Sequence, residues 1–304
     1  MVEHAQTQAK PSPAAMPADY AALLARATRL TTPCGDGEMV WHMWGERQAG
    51  ALPLVMLHGG SGSWTHWIRN IDALVAAGYQ IWLPDLPGFG DSAAPPAGFD
   101  ADAMVEPLYL GMQQLGLVPC KLMGFSFGGM TAGMLAAAHP DVAERLVVVG
   151  APAMGVVPEK QFALRGWRHL PDAAEQREVH RYNLGALMLW DAIRIDDEAL
   201  ALHQNNVQRD RLPRRRLANT DILAQSLPQI AVPVAAIYGA HDVLYKTYMG
   251  ALADKFRAVT PQLLEFALVP GSGHWVQYEQ PGAFMAALLP LLSSTIDVKS
   301  VSSA

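Results

Sequence analysis

Short apolar runs recur along the chain, each followed by a stretch with helical spacing. Leu54–Leu57, Gln80–Pro84, Lys121–Gly124, Leu146–Val149, Val234–Tyr238 and Leu264–Val269 read as buried strands, and Trp67–Ala77 and Met130–Ala138 are examples of the helices between them. This alternation predicts an α/β fold with a mostly parallel sheet flanked by helices on both faces. Met39–Trp44 alternates weakly after Asp36-Gly37, a hairpin signal, so an antiparallel pair is expected to open the sheet. Between Pro152 and Leu227 the alternation stops. That stretch is rich in Arg, Leu, Met, Trp and His, and reads as several amphipathic helices without strands. The expected organisation is a core of residues 18–151 and 228–296, an inserted helical cap (lid) at 152–227, and tails at 1–17 and 297–304. Insertions at the carboxyl ends of strands are where such sheets place ligands, so substrate selection is expected in the cap.

Composition narrows the classes. The chain has 304 residues, 51% hydrophobic and 16% charged, which is a globular balance. A net charge of −6 gives no reason to expect nucleic-acid binding. No apolar run approaches the ~18–20 residues that span a bilayer, and the N-terminal stretch lacks the apolar segment of a secretory signal. Cys34 and Cys120 lie far apart in no metal-ligand spacing, so a reducing, cytoplasmic setting is the simplest reading and no metal is expected.

The strongest chemical signal is Gly124-Phe125-Ser126-Phe127-Gly128-Gly129, with the strand Lys121–Gly124 before it and a helical pattern after it. This is G-x-S-x-G in a strand–turn–helix setting. A serine on so tight a turn is forced outward, and small neighbours let strand and helix approach. The following helix brings its positive dipole end beneath the hydroxyl.

With this turn stand His58-Gly59-Gly60-Ser61-Gly62, Pro84-Asp85-Leu86-Pro87-Gly88-Phe89-Gly90-Asp91-Ser92 and Gly273-His274, in that chain order around it. Together they make the chain resemble the α/β-hydrolase superfamily from about Arg29 to Leu292. The resemblance implies an α/β-hydrolase fold that needs no cofactor and uses a triad in the order Ser, Asp, His.

His274 lies in a Gly-rich loop after the last predicted strand, where a base can take the proton of Ser126. Asp242 follows the strand Val234–Tyr238, 32 residues before His274, and is the expected triad acid. Relatives that place the acid after the preceding strand are no guide here, because 147–157 holds no carboxylate. Asp85 and Asp91 read as turn-stabilising, and His58 as a brace for its loop. His42 and His139 read as structural.

Attack on a carbonyl builds an oxyanion, which preorganised N–H donors stabilise. The resemblance assigns one donor to the backbone N–H of Phe127. The other falls in the His-Gly loop, at Gly60 or at neighbouring Ser61.

The substrate is less legible. Candidate pocket residues are Ser61, Trp64, Phe125, Trp190 and Trp275. Trp67, beside the His-Gly loop, joins Trp64 as a pocket candidate; Trp167, Trp190, Met188 and Leu189 read as pocket or as cap core, and the run Arg209, Arg211, Arg214, Arg215, Arg216 as a solvated helix end. The His-Gly loop and Gly273-His274-Trp275 are also similar to the meta-cleavage-product hydrolases, which cleave C–C bonds of vinylogous diketones. That subfamily carries Asn where Phe125 stands, Gly-Pro-Gly at Gly60-Ser61-Gly62, and a cap arginine for a substrate carboxylate near His203. Without that anchor a neutral substrate is expected. A carboxylesterase acting on small-molecule esters is the first reading and a C–C hydrolase the second. A triad-bearing small-molecule receptor and a perhydrolase stay open, whereas dehalogenases and epoxide hydrolases place Asp where Ser126 stands. The oligomeric state is not legible.

Overall fold

The computed structural model describes residues 16, 18–212 and 215–293. The tails expected at 1–17 and 297–304 fall almost entirely outside these residues, as does Arg214 of the basic run.

Eight strands form one sheet: β1 (Thr28–Cys34), β2 (Gly37–Trp44), β3 (Leu54–Leu57), β4 (Ile81–Pro84), β5 (Cys120–Phe125), β6 (Ala143–Val149), β7 (Val234–Gly239) and β8 (Leu263–Val269). Their order is β1-β2-β4-β3-β5-β6-β7-β8. β1 and β2 form the expected antiparallel pair, β2 runs antiparallel to β4, and every later pairing is parallel. The hairpin turn is Gly35-Asp36 rather than Asp36-Gly37, because Gly35 takes the positive φ of +55° that the turn requires. From β3 the chain moves outward to β4 and then returns to β5 on the other side of β3. The carboxyl ends of β3 and β5 therefore bound a crevice where the strand order reverses, the usual ligand position in open parallel sheets.

Alternation along each strand feeds two cores. Val55, Leu57, Leu122, Leu146, Val148 and Ala236 pack on one face, and Leu54, Met56, Met123, Val147, Val149 and Ile237 on the other. The helices that cover them are α1 (Ala18–Arg26), α2 (Ile71–Ala76), α3 (Asp102–Gln114), α4 (Phe127–Ala138), α5 (Ala173–Asn183), α6 (Asp197–Gln208), α7 (Ile222–Ser226), α8 (Met249–Val259), α9 (Val276–Glu279) and α10 (Pro281–Ser293). The helix expected over Trp67–Ala77 begins only at Ile71, since Trp64–Trp67 forms a tight 3₁₀ turn capped by Ser63. Among the described residues no helix is long and apolar enough to cross a membrane.

Among the described residues the stretch between β6 and β7 carries no strand. Its first part holds no helix before Ala173, since Pro152, Pro158 and Pro171 interrupt it. α5 then continues into a single wide π turn at Leu184–Met188. Polar contacts fasten this stretch to the core, among them two made by α6. Asn206 on α6 bonds Ser63 and Thr65, accepting from Ser63 Oγ at 2.7 Å. Arg69 donates to Glu198 on α6 while stacking 3.7 Å over the Tyr278 ring.

Candidate active site

Ser126 occupies the residue between β5 and α4, with φ +51° and ψ −118°. A side chain at this φ is strained, and its neighbours show why the turn is so tight. A Cβ on Gly124 would lie 2.2 Å from the Gly128 carbonyl oxygen, and one on Gly128 would lie 2.3 Å from that of His58. Only glycine at both positions lets β5, α4 and the loop after β3 meet.

Asp242 follows β7 and His274 follows β8, so both reach the same edge as Ser126. His274 Nε2 lies 2.8 Å from Ser126 Oγ, and Nδ1 lies 2.9 Å from Asp242 Oδ2. Asp242 is fully buried, and its other oxygen accepts the Leu244 N–H at 2.9 Å. Across β6, Gly150 sits at φ +55°, and a Cβ there would come 3.3 Å from the His274 ring. The position that carries no carboxylate thus supplies clearance for the imidazole instead.

The loop after β3 is held from three sides. His58 Nε2 accepts the Leu86 N–H at 2.9 Å, and Nδ1 donates to the Gly59 carbonyl at 2.7 Å. Burial pushes this imidazole down to about 4, so it stays neutral and braces the loop. Asp85, fully buried, accepts from the Trp64 and Asp91 N–H groups, which matches a turn role. Asp91 instead turns its side chain outward to pair with Arg209 at 2.8 Å. The Gly59 N–H donates to His66 Nδ1 at 3.1 Å. The next amide, Gly60, stands beside Phe127, whose Cβ lies 3.5 Å from where a Gly60 Cβ would be. Phe127 is the first residue of α4, so its N–H has no partner within the helix.

Two cavities lie near the triad, one beside Gly60 and the other beside His274. A cavity of about 440 Å³ lies between the loop after β3 and the insertion, lined by Gly60, Ser61, His66, Trp167, Met188 and His203. A second, of about 370 Å³, is lined by Leu187, Trp190, His241, Lys246, Gly273 and His274. Ser61 and Trp190 thus reach cavities, and Trp190 stacks on His241 at 3.9 Å. Trp64, Phe125 and Trp275 do not. Trp64 is 2% exposed and packs between Tyr20 and Trp44. Phe125 is buried with its ring 5.0 Å from that of His274, which it supports from behind. Trp275 is buried and donates Nε1–H to the His66 carbonyl at 2.9 Å. Aromatic bulk in the sequence did not distinguish a wall from the layer behind it.

The basic run also departs from a solvated helix end. Arg211 donates to the carbonyls of Phe89, Gly90 and Ser92. Arg215 pairs with Asp210 at 2.8 Å and donates to Ser61 Oγ at 3.0 Å. These side chains tie the insertion to the turn after β4 and to the loop after β3.

His66 and Glu279 carried no sequence signal. Glu279 is fully buried and accepts N–H groups from Gly273, Trp190 and Asp191, fastening the His274 loop to the insertion. Among the described residues no cluster of His, Cys, Asp and Glu could hold a metal ion.

Residues 53–181 match the family model for the alpha/beta hydrolase fold. The sn-1-specific diacylglycerol lipase ABHD11 of Mus musculus is 30% identical over 79% of this chain and 80% of its own length. The 2-hydroxy-6-oxo-6-phenylhexa-2,4-dienoate hydrolase of Burkholderia cepacia is 29% identical over 79% of this chain and 87% of its own. Among solved structures, carboxylesterase CesB of Bacillus subtilis superposes with a TM-score of 0.72 at 20% identity, covering 91% of this chain and 97% of that one. A meta-cleavage product hydrolase, CumD of Pseudomonas fluorescens, gives 0.68 at 21% identity over 86% and 96%. The eight-stranded sheet, the crevice at its strand-order reversal and these similarities agree: the chain belongs to the α/β-hydrolase family.

Proposed function

We propose that the protein is a serine hydrolase that cleaves small-molecule carboxylic esters through an acyl-enzyme on Ser126. The observation that carries this reading is the continuous relay from Asp242 through His274 to Ser126 Oγ, with 2.9 Å and 2.8 Å separations. His274, held by Asp242, removes the Ser126 proton as Oγ attacks the ester carbonyl. The oxyanion is stabilised by the N–H groups of Gly60 and Phe127. The tetrahedral intermediate collapses, His274 passes its proton to the departing alcohol, and Ser126 is left acylated. Water, deprotonated by His274, then releases the acid and restores the serine. The stretch between β6 and β7 is the cap, and the cavities beside Gly60 and His274 take the acyl and alcohol parts. Free, buried Cys34 and Cys120 support a reducing, cytoplasmic setting.

Ester cleavage ranks first because the arginines at the larger cavity are engaged elsewhere. Arg168 donates to the Val207 carbonyl and lies over Trp167, and Arg165 lies over the Tyr182 ring. Arg215, which stands beside Gly60, is already paired with Asp210, so a substrate carboxylate there would compete with that ion pair. The second reading, C–C hydrolysis of a vinylogous diketone, is favoured by the relatives named for dienoate substrates and by Gly273-His274-Trp275. Turnover of p-nitrophenyl esters from acetate to octanoate, run beside one 2-hydroxy-6-oxo-dienoate, separates the two. Fast ester turnover with little dienoate cleavage supports the esterase, and the reverse overturns it in favour of C–C hydrolysis.

A further inference from the structure

The two ring nitrogens of His66 face different partners. Nδ1 accepts the Gly59 N–H, so in the neutral ring the proton sits on Nε2. Nε2 has no hydrogen-bond partner among the described residues, although His66 is only 4% exposed and its ring lines the larger cavity. Nothing about the ring's placement is loose. A Cβ on Gly62 would fall 2.3 Å from its Cε1, Phe125 meets it edge-on at 5.3 Å, and Trp275 lies 5.1 Å away. The Trp275 indole N–H holds the His66 carbonyl. A rigid imidazole with an unused N–H, directed into a cavity that also contains Gly60, is a donor in need of an acceptor.

We propose that His66 is a specificity-determining residue whose Nε2–H binds a second, uncharged oxygen on the acyl part of the substrate. The substrate class is therefore an ester whose acyl chain bears a keto, alkoxy or hydroxyl oxygen a few bonds from the scissile carbonyl. This deepens the hydrolase reading and rests on it. The opposite wall fits such a group. His203 lines the same cavity, its ring edge-on to His180 at 5.3 Å. Burial, reinforced by neighbouring histidines, holds both His66 and His203 neutral, with His203 pushed down to about 3. Neutral imidazoles suit a carbonyl or hydroxyl oxygen, and the arginines that also line the cavity, Arg165 and Arg168, lie over the rings of Tyr182 and Trp167.

The test reads binding rather than turnover. In the Ser126→Ala protein, calorimetry compares p-nitrophenyl 4-oxopentanoate with p-nitrophenyl pentanoate. One added neutral hydrogen bond corresponds to a preference of about fivefold to tenfold for the oxo ester. Adding His66→Asn, whose amide oxygen falls near the Nδ1 position but reaches no further, should cut that preference to within about twofold. Adding His66→Gln, whose amide extends to the Nε2 position, should retain most of it. Equal binding of the two esters by Ser126→Ala, or a preference unchanged by His66→Asn, overturns the proposal. Full ester turnover by Ser126→Ala would instead sink the serine-hydrolase reading, and leaves this preference to be judged on its own result.

Discussion

Glu279 Oε2 accepts the Gly273 N–H at 2.6 Å, one residue before His274. The same carboxylate holds the Trp190 and Asp191 N–H groups, so one buried side chain sets both the imidazole loop and part of the stretch between β6 and β7. Hydrogen bonds to a buried charged acceptor contribute ~1.5–3 kcal/mol each, and orphaned donors add their own cost. Glu279→Ala is expected to lower unfolding free energy in urea by about 3 kcal/mol and to reduce kcat more than tenfold. Glu279→Gln, which keeps an acceptor oxygen, should recover part of both. A Glu279→Ala enzyme with wild-type kcat would show that the loop is held by other contacts.

Gly150 bears on the other side of the imidazole. Its φ of +55° disfavours any other residue, and a Cβ would sit 3.3 Å from the His274 ring and 3.4 Å from Asp242 Oδ2. Backbone strain of this kind costs about 1–2 kcal/mol, and the close contact displaces the ring from Ser126. Gly150→Ala should therefore lower kcat by about tenfold or more with a smaller effect on KM. Equal losses in kcat and 1/KM would point to a distorted binding cavity instead.

Buried neutral histidines make stability pH-dependent. His58 titrates at about 4 in the folded protein because burial disfavours its charged form, against about 6.5 when unfolded. The unfolded state therefore binds the proton first as pH falls. The stability from keeping His58 neutral is fully present above pH ~6.5 and is lost between ~6.5 and ~4, at up to about 1.4 kcal/mol per pH unit. His203, at about 3, acts in the same direction over an overlapping window. Thermal unfolding should show Tm falling through that range, with a shallower fall in His58→Gln. A Tm flat from pH 7 to 4.5 would contradict these neutral states.

What the sequence made legible follows from where each partner lies. The serine turn was readable because its requirement is local: Gly124 and Gly128 touch backbone within a few residues or at one facing loop. His274 and Asp242 were readable because each follows a strand whose apolar run is plain. Their 2.8 Å and 2.9 Å contacts span 148 and 32 residues, yet the sheet brings all three strand ends to one edge. Helix onset was misread at Trp67, where Ser63 and Asn70 pin a 3₁₀ turn by contacts that periodicity does not record, Asn70 donating to the Gln277 carbonyl 207 residues away. The same reason hid His66 and the arginines. Their partners include backbone groups and side chains on other loops, so neither apolar spacing nor charge count distinguishes them from solvated or core residues. Trp64 and Trp275 mislead in the opposite sense, because large aromatic rings fill a second layer as readily as a cavity wall.

The central claim rests on Ser126, and it is tested most directly by steady-state turnover of p-nitrophenyl butyrate by the wild type and Ser126→Ala, with stoichiometric fluorophosphonate labelling of each. The expected result is measurable wild-type turnover, labelling of one residue per chain at Ser126, and loss of kcat on the order of 10⁶-fold in Ser126→Ala together with loss of the label. Near-normal turnover by Ser126→Ala, or a label that persists in it, would contradict the assignment of Ser126 as nucleophile.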